Sequence, residues 1–224
     1  MPAPAKAMNW FYWFIRFCIG VLLRLFTQFR VQGREHVPAD GAVIVVSNHL
    51  SVTDPPVLSF ALPRRARFMA KQELFRNPAA RWFITNLGAF PLDRSRIDRQ
   101  AIREAEKSLK QGLALIIFAE GGRSRDGRLG EAYSGAAMLA LRLGVPILPV
   151  AISGTEKIGQ RLRRLRRPKI TIKIGRPIPA PQPNGHRRTA TTELTGAVMS
   201  HITRLLPAAY RGHYREELTG EVRD

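Results

Sequence analysis

Three short, almost unbroken apolar runs constrain this chain more than any other feature: Gly41–Ser47, Leu113–Phe118 and Val145–Ile152. A strand with one wet face alternates apolar and polar residues. An unbroken run needs cover on both faces, as in a sheet sandwiched between helices. The intervening segments supply that cover. Pro56–Leu62, Asn77–Leu87, Ile97–Gly112 and Ser134–Leu143 read as helices. Pro78 falls in the first turn of its helix, and Gly112 and Gly144 stand where helices end. Arg67–Ala70 and Gly88–Leu92 read as short strands, Ile170–Ile174 alternates like a strand, and a Pro-rich turn leads into a last helix over Thr189–Leu206. This alternation predicts one α/β domain with a mixed, largely parallel central sheet covered by helices. With 224 residues the chain can fill one such core, and no repeat or long linker divides it. The expected organisation is an N-terminal membrane-interface helical segment over 1–32, a catalytic domain over 33–210 and a tail over 211–224.

The segment Asn9–Arg30 is rich in aromatics but carries Arg16, Arg24 and Arg30. It has no small-residue cleavage site for a signal peptide, and its arginines disfavour a membrane span. At 100° per residue, Arg16, Gly20, Arg24, Thr27 and Arg30 gather within about 60° of one line, and the aromatics cover the rest. That pattern predicts an amphipathic helix lying in a membrane interface. A helix packed on the domain core is the alternative.

Directly after the first apolar run comes Asn48-His49-Leu50-Ser51-Val52-Thr53-Asp54-Pro55. Chemistry in α/β folds gathers where strands end. A neutral imidazole can take a proton from a hydroxyl, and a carboxylate on its other nitrogen fixes the tautomer. On a straight helix, residues five apart point about 140° away from each other, so His49 and Asp54 meet only if the backbone turns between them. No serine or cysteine nucleophile signature accompanies the pair. His49 is therefore expected to act as a base on a substrate hydroxyl, with Asp54 as its orienting partner.

Three further blocks follow: Gly88-Ala89-Phe90-Pro91-Leu92-Asp93-Arg94, then Phe118-Ala119-Glu120-Gly121-Gly122-Arg123-Ser124, then Val145-Pro146-Ile147-Leu148-Pro149-Val150. Glycines let backbone approach a ligand, and guanidinium grips two phosphate oxygens at once. Together with Asn-His-x4-Asp-Pro, these blocks resemble the PlsC-like lysophospholipid acyltransferases (the 1-acyl-sn-glycerol-3-phosphate acyltransferases). The likeness spans about Gly33 to Pro179. Ala119 and Gly122 stand where that family usually has Pro and Thr.

The resemblance implies an acyl group moved from acyl-CoA or acyl carrier protein to the free hydroxyl of lysophosphatidic acid, giving phosphatidic acid. His49 and Asp54 would be catalytic. Arg94 and Arg123, with Lys71, would hold the acceptor phosphate, and Glu120, Gly121 and Gly122 would position it. Val145, Pro146 and Pro149 would shape the acyl channel. No metal or cofactor is implied, because the thioester is already activated. Another lyso-lipid or glycerol 3-phosphate is the alternative acceptor. The implied location is the cytoplasmic face of the cell membrane, peripheral or monotopic, with membrane lipids as partners.

Composition adds one constraint. The formal net charge is +19 and the pI about 11.5. Such a chain is drawn to anionic partners, among which are lipid headgroups, acyl carrier protein and nucleic acid. The basic cluster Arg161–Lys169 lacks interleaved aromatics for base stacking, so no nucleic-acid partner is expected. A non-catalytic binding protein for nucleic acid or anionic lipid is the reading from a different class. The lone Cys18 excludes an intramolecular disulfide.

Overall fold

The computed structural model describes residues 7–181 and 186–214. A seven-stranded sheet forms the centre, in the order β1-β7-β6-β2-β5-β3-β4. In chain order these are β1 (Gln28–Gln32), β2 (Val43–Ser47), β3 (Ala66–Lys71), β4 (Ala89–Leu92), β5 (Ala114–Phe118), β6 (Ile147–Ser153) and β7 (Lys169–Ile174). Every neighbouring pair is parallel except β6 with β7. The expected mixed, largely parallel sheet is therefore present. The unbroken apolar runs form its middle, with Val45 opposite Ile116 on one side and Leu148 on the other.

Alternate residues of these strands feed two cores. Val43, Val45, Ile116, Leu148 and Ile152 pack under α1 (Ala7–Phe26), α2 (Asp54–Ala61) and α3 (Pro78–Asn86). Ile44, Val46, Leu115, Ile147 and Ala151 pack under α4 (Arg99–Lys110), α5 (Gly135–Leu143) and α7 (Arg187–Leu205). Each large side chain fully buried this way contributes about 1.5–3 kcal/mol. A short α6 (Ile158–Arg163) carries part of the basic cluster.

Two expectations change. The helix expected over Asn9–Arg30 ends at Phe26, and Gln28–Gln32 turns into an edge strand paired with β7. Those five residues thus join the sheet, although they lie on the N-terminal side of the expected 32/33 boundary. Part of the polar stripe of α1 also turns inward onto the domain, while Arg24 stays exposed. Arg16 is buried and donates to the carbonyls of Ser59, Phe60, Leu62 and Arg64, the last two at 2.7 and 3.1 Å. Gly20 lies against the Phe60 ring, which leaves no room for a Cβ. The reason is the end of α2, whose last carbonyls have no intrahelical partner and take a cation well. Buried Tyr12 completes the joint by accepting from Ala66 N–H at 3.1 Å.

The opposite, apolar face of α1 is left uncovered. Trp10, Phe17, Leu25 and Phe26 are at least half exposed. Phe11 meets Trp82 of α3 edge-on at 4.8 Å, so the exposed aromatics of both helices adjoin. Among the described residues no helix is long and apolar enough to cross a membrane. Part of the expected tail is packed down: Tyr214 accepts from Ala132 N–H at 3.2 Å. Residues 215–224 of that tail lie outside the described residues.

Candidate active site

β2 delivers the chain to the C-terminal edge of the sheet, and Asn48 fixes its exit. The Asn48 side chain accepts from Ile152 N–H at 2.8 Å and donates to Ile152 carbonyl at 3.0 Å, tying β2 to β6. A turn over Ser51–Thr53 then reverses the backbone, which is the bend that the five-residue spacing requires. Asp54 begins α2. Pro55 and Pro56 fit the first turn, where a missing N–H costs nothing.

This turn brings the expected pair together. His49 Nδ1 donates to Asp54 Oδ2 at 2.8 Å. The same oxygen accepts from Leu50 N–H at 2.6 Å and Ser51 N–H at 2.7 Å. Asp54 is fully buried and His49 nearly so. With Nδ1 carrying the proton, Nε2 presents its lone pair, the state a general base needs. The N-terminal end of α2 adds favourable potential for the Asp54 carboxylate. The imidazole lies flat on the Phe118 ring, centroids 4.0 Å apart, so it can neither tilt nor swing freely.

The turn after β5 wraps the other side of His49. Glu120 accepts His49 N–H at 3.1 Å through one oxygen and Gly130 N–H at 3.0 Å through the other. Ser124 N–H donates to His49 carbonyl at 2.8 Å. Glu120 therefore anchors the backbone that presents the base. Gly121 has φ +62°, a conformation that favours glycine, and Tyr133 ring carbons lie 3.0 Å from where its Cβ would be. Gly122 has no such requirement. A Cβ there would meet only Arg94 Nη1, at 3.9 Å, so the site has room for the threonine usual in the resembled family.

Burial pushes the Glu120 carboxyl above its ordinary value of 4.5, partly offset by the two backbone N–H donors. A raised folded value means that Glu120 contributes stability at low pH and loses it as pH rises through that value. Glu120→Gln is thus expected to remove a downward slope of unfolding free energy above pH 4.5. Urea unfolding of both proteins across pH 4 to 7 checks this. A slope that stays the same in the variant would contradict it.

Beside Phe118, on the α4–α5–α7 side of the sheet, opens a cavity of about 890 Å³. Its walls include Met69, Ile102, Ile117 and Leu139, and Arg94, Arg187 and Arg188 also line it. Arg94 thus sits beside the Gly121-Gly122 turn. Arg123 is exposed on that turn and does not line the cavity. Lys71 ends β3 exposed and paired with Glu73 at 3.0 Å, away from the cavity wall.

Val145, Pro146 and Pro149, expected to shape an acyl channel, do not line the cavity. Val145 and Pro146 precede β6, at the end of the sheet opposite His49, and Pro149 packs against Gly175. Proline inside a parallel strand is unusual because it cannot donate to a ladder. Here it fills core space, and its carbonyl accepts from Gly175 N–H at 2.8 Å. Phe118 and Asn48 are the residues that sequence reasoning passed over. Both stand inside quoted motifs, Asn48 in the first and Phe118 at the head of the third, but neither carries an assigned role there.

The Acyltransferase family profile matches residues 28–153, the stretch that carries β1 to β6 and the whole His49 neighbourhood. The chain belongs to this acyltransferase family. A 1-acyl-sn-glycerol-3-phosphate acyltransferase of Bacillus subtilis is 32% identical over 80% of this acyltransferase and 91% of its own length. A chloroplastic relative of the same name from Brassica napus is 35% identical, and the match covers 57% of this chain. The chain spans only 38% of the length of that relative and of its Arabidopsis thaliana counterpart. The crystal structure of the 1-acyl-sn-glycerophosphate acyltransferase of Thermotoga maritima has a TM-score of 0.71 and 31% identity, covering 100% of this chain and 85% of that one.

Proposed function

We propose that this acyltransferase transfers an acyl group from acyl-CoA or acyl carrier protein to the free hydroxyl of lysophosphatidic acid, forming phosphatidic acid at a membrane surface. The observation that carries this reading is the His49–Asp54 pair, its imidazole stacked on Phe118, a residue in the wall of a large apolar cavity that His49 itself does not line. His49 Nε2 takes the hydroxyl proton as the acceptor oxygen attacks the thioester carbonyl. The imidazolium that forms is stabilised by Asp54. The C–S bond then breaks, and His49 returns the proton to the leaving thiolate. Positioned base catalysis of this kind is worth about 10²–10⁴-fold. The thioester is already activated, so no metal or cofactor is called for.

Arg94 supplies charge for the acceptor phosphate, with Arg123 and the glycines beside it. The cavity has the volume and apolar wall expected of a lipid-sized ligand site. Names of relatives in several organisms support lysophosphatidic acid over glycerol 3-phosphate as acceptor.

The uncovered aromatic face of α1 and α3 is the surface by which the enzyme meets a bilayer, at the cytoplasmic leaflet. Removing residues 1–30 is a poor test, because Tyr12, Arg16 and β1 are built into the domain. Trp10 and Phe17, 70% and 67% exposed, make better probes. The double change Trp10→Ala with Phe17→Ala is expected to weaken vesicle binding about 100-fold, at about 1.5 kcal/mol for each ring. Its unfolding midpoint stays near wild type. Flotation with anionic vesicles containing lysophosphatidic acid measures this, and the same vesicles report product. Unchanged flotation would overturn the membrane face, and preferential acylation of glycerol 3-phosphate would overturn the acceptor.

A further inference from the structure

A second concave site lies on the sheet, away from the lipid-sized cavity. It measures about 430 Å³ and lies between the β1–β7–β6 edge and the chain after α7. Five of its lining residues are cations: Arg30, Lys157, Arg161, Lys169 and Lys173. The sheet alternation explains this. Phe29, Val31, Ile170, Ile172 and Ile174 pack toward the α1 side, which turns Arg30, Lys169 and Lys173 to the other face. Among the described residues no carboxylate lines the site. Among the described residues Glu156 approaches one of its cations, lying 3.5 Å from Lys157, whose amine also donates to Tyr210 hydroxyl at 3.1 Å. Among the described residues none forms an ion pair with Arg30, Arg161, Lys169 or Lys173. Like charges held together without partners repel, and a bound polyanion relieves that repulsion.

Place and shape narrow the choice of anion. The groove's wall offers only Ala151, Pro168, Leu205, Leu206 and Pro207 as apolar residues, so the acyl chain of a lyso-lipid is a poor fit. Its concavity suits a small molecule better than the flat surface that a protein or a nucleic acid duplex needs. Five cations match two or three phosphates. Ser153 and Gly154 in its wall directly follow Ile152, whose backbone Asn48 holds, and Asn48 precedes His49. Strands lie about 4.8 Å apart, so the groove centre is roughly two strands from β2. A flexible arm from a head bound there spans that distance easily.

We propose that this groove binds the phosphorylated nucleotide head of a soluble coenzyme A thioester, holding the acyl donor while its thioester reaches His49. The donor role rests on the acyl-transfer reading above, but the site itself does not. Titration calorimetry of the full chain with coenzyme A, adenosine 3′,5′-bisphosphate and inorganic phosphate tests it. Wild type is expected to bind them in that order of affinity. The double change Lys169→Glu with Lys173→Glu weakens coenzyme A at least tenfold, and Lys169→Ala with Lys173→Ala serves if the first does not fold. Coenzyme A affinity equal in the folded variant and wild type overturns the site. So does a variant that loses acyl carrier protein, dispersed short-chain lysophosphatidic acid or a single-stranded oligonucleotide while coenzyme A is unaffected. Variant-sensitive coenzyme A binding in a chain that acylates no lyso-lipid supports the groove and overturns the acceptor reading instead.

Discussion

Replacing His49 with alanine is expected to lower the turnover of acyl transfer by about 10³-fold, the middle of the range for a positioned base. The cause is confined to the imidazole. Both backbone contacts of His49, to Glu120 and Ser124, survive the change. Asp54 keeps the Leu50 and Ser51 N–H groups, so its buried carboxylate is not abandoned. The unfolding free energy should fall by no more than about 1–2 kcal/mol, the cost of one lost hydrogen bond to a buried group. Single-turnover rates with thermal unfolding of the same preparations separate the two effects. Near-wild-type turnover would remove His49 from the mechanism. A large loss of stability would mean that the imidazole is structural.

The largest stability effect is expected from Arg16→Ala. One guanidinium serves four carbonyls around the end of α2 and lies 4.7 Å from the Trp13 ring. Removing it leaves several buried acceptors without donors, each worth about 1–3 kcal/mol, and opens space beneath α1. A loss of about 4 kcal/mol is a reasonable sum, since some carbonyls will regain water. Arg16→Lys should recover only part, because an ammonium cannot fork as a planar guanidinium does. Urea unfolding measures both. A loss under 1 kcal/mol for Arg16→Ala would show that α1 is held by its apolar contacts alone. The joint also has a functional side, for α2 carries Asp54 at its other end, and α1 carries the aromatic face.

Legibility followed the strength of the local constraint. β2, β5 and β6 were plain in the sequence because an unbroken apolar run has few other uses. His49 and Asp54 were legible as a pair because they directly follow a buried strand run, where the chemistry of α/β folds gathers. β1 was hidden: Gln-Phe-Arg-Val-Gln is half polar, as an edge strand can be, and it continued the basic pattern of the preceding helix. The facing of α1 was hidden for a related reason. A helical wheel separates polar from apolar residues, but it cannot say that a tertiary partner, the exposed end of α2, will draw the arginine inward. The resemblance assigns the proline-bracketed strand to the acyl chain, whereas Pro149 packs against Gly175 in the fold. The cavity walls come from β3, β5, α4 and α5 together, and no local pattern announces such a meeting.

The central claim is that His49, held by Asp54, is the base for acyl transfer from a thioester to lysophosphatidic acid. Its most direct measurement is radiolabelled palmitoyl transfer to lysophosphatidic acid in detergent micelles, from palmitoyl-CoA and from palmitoyl-acyl carrier protein, with wild type and His49→Ala side by side. Labelled phosphatidic acid from wild type, with at least one donor, and almost none from the variant is the predicted result. Equal product from both proteins, or none from wild type with either donor, would contradict the claim.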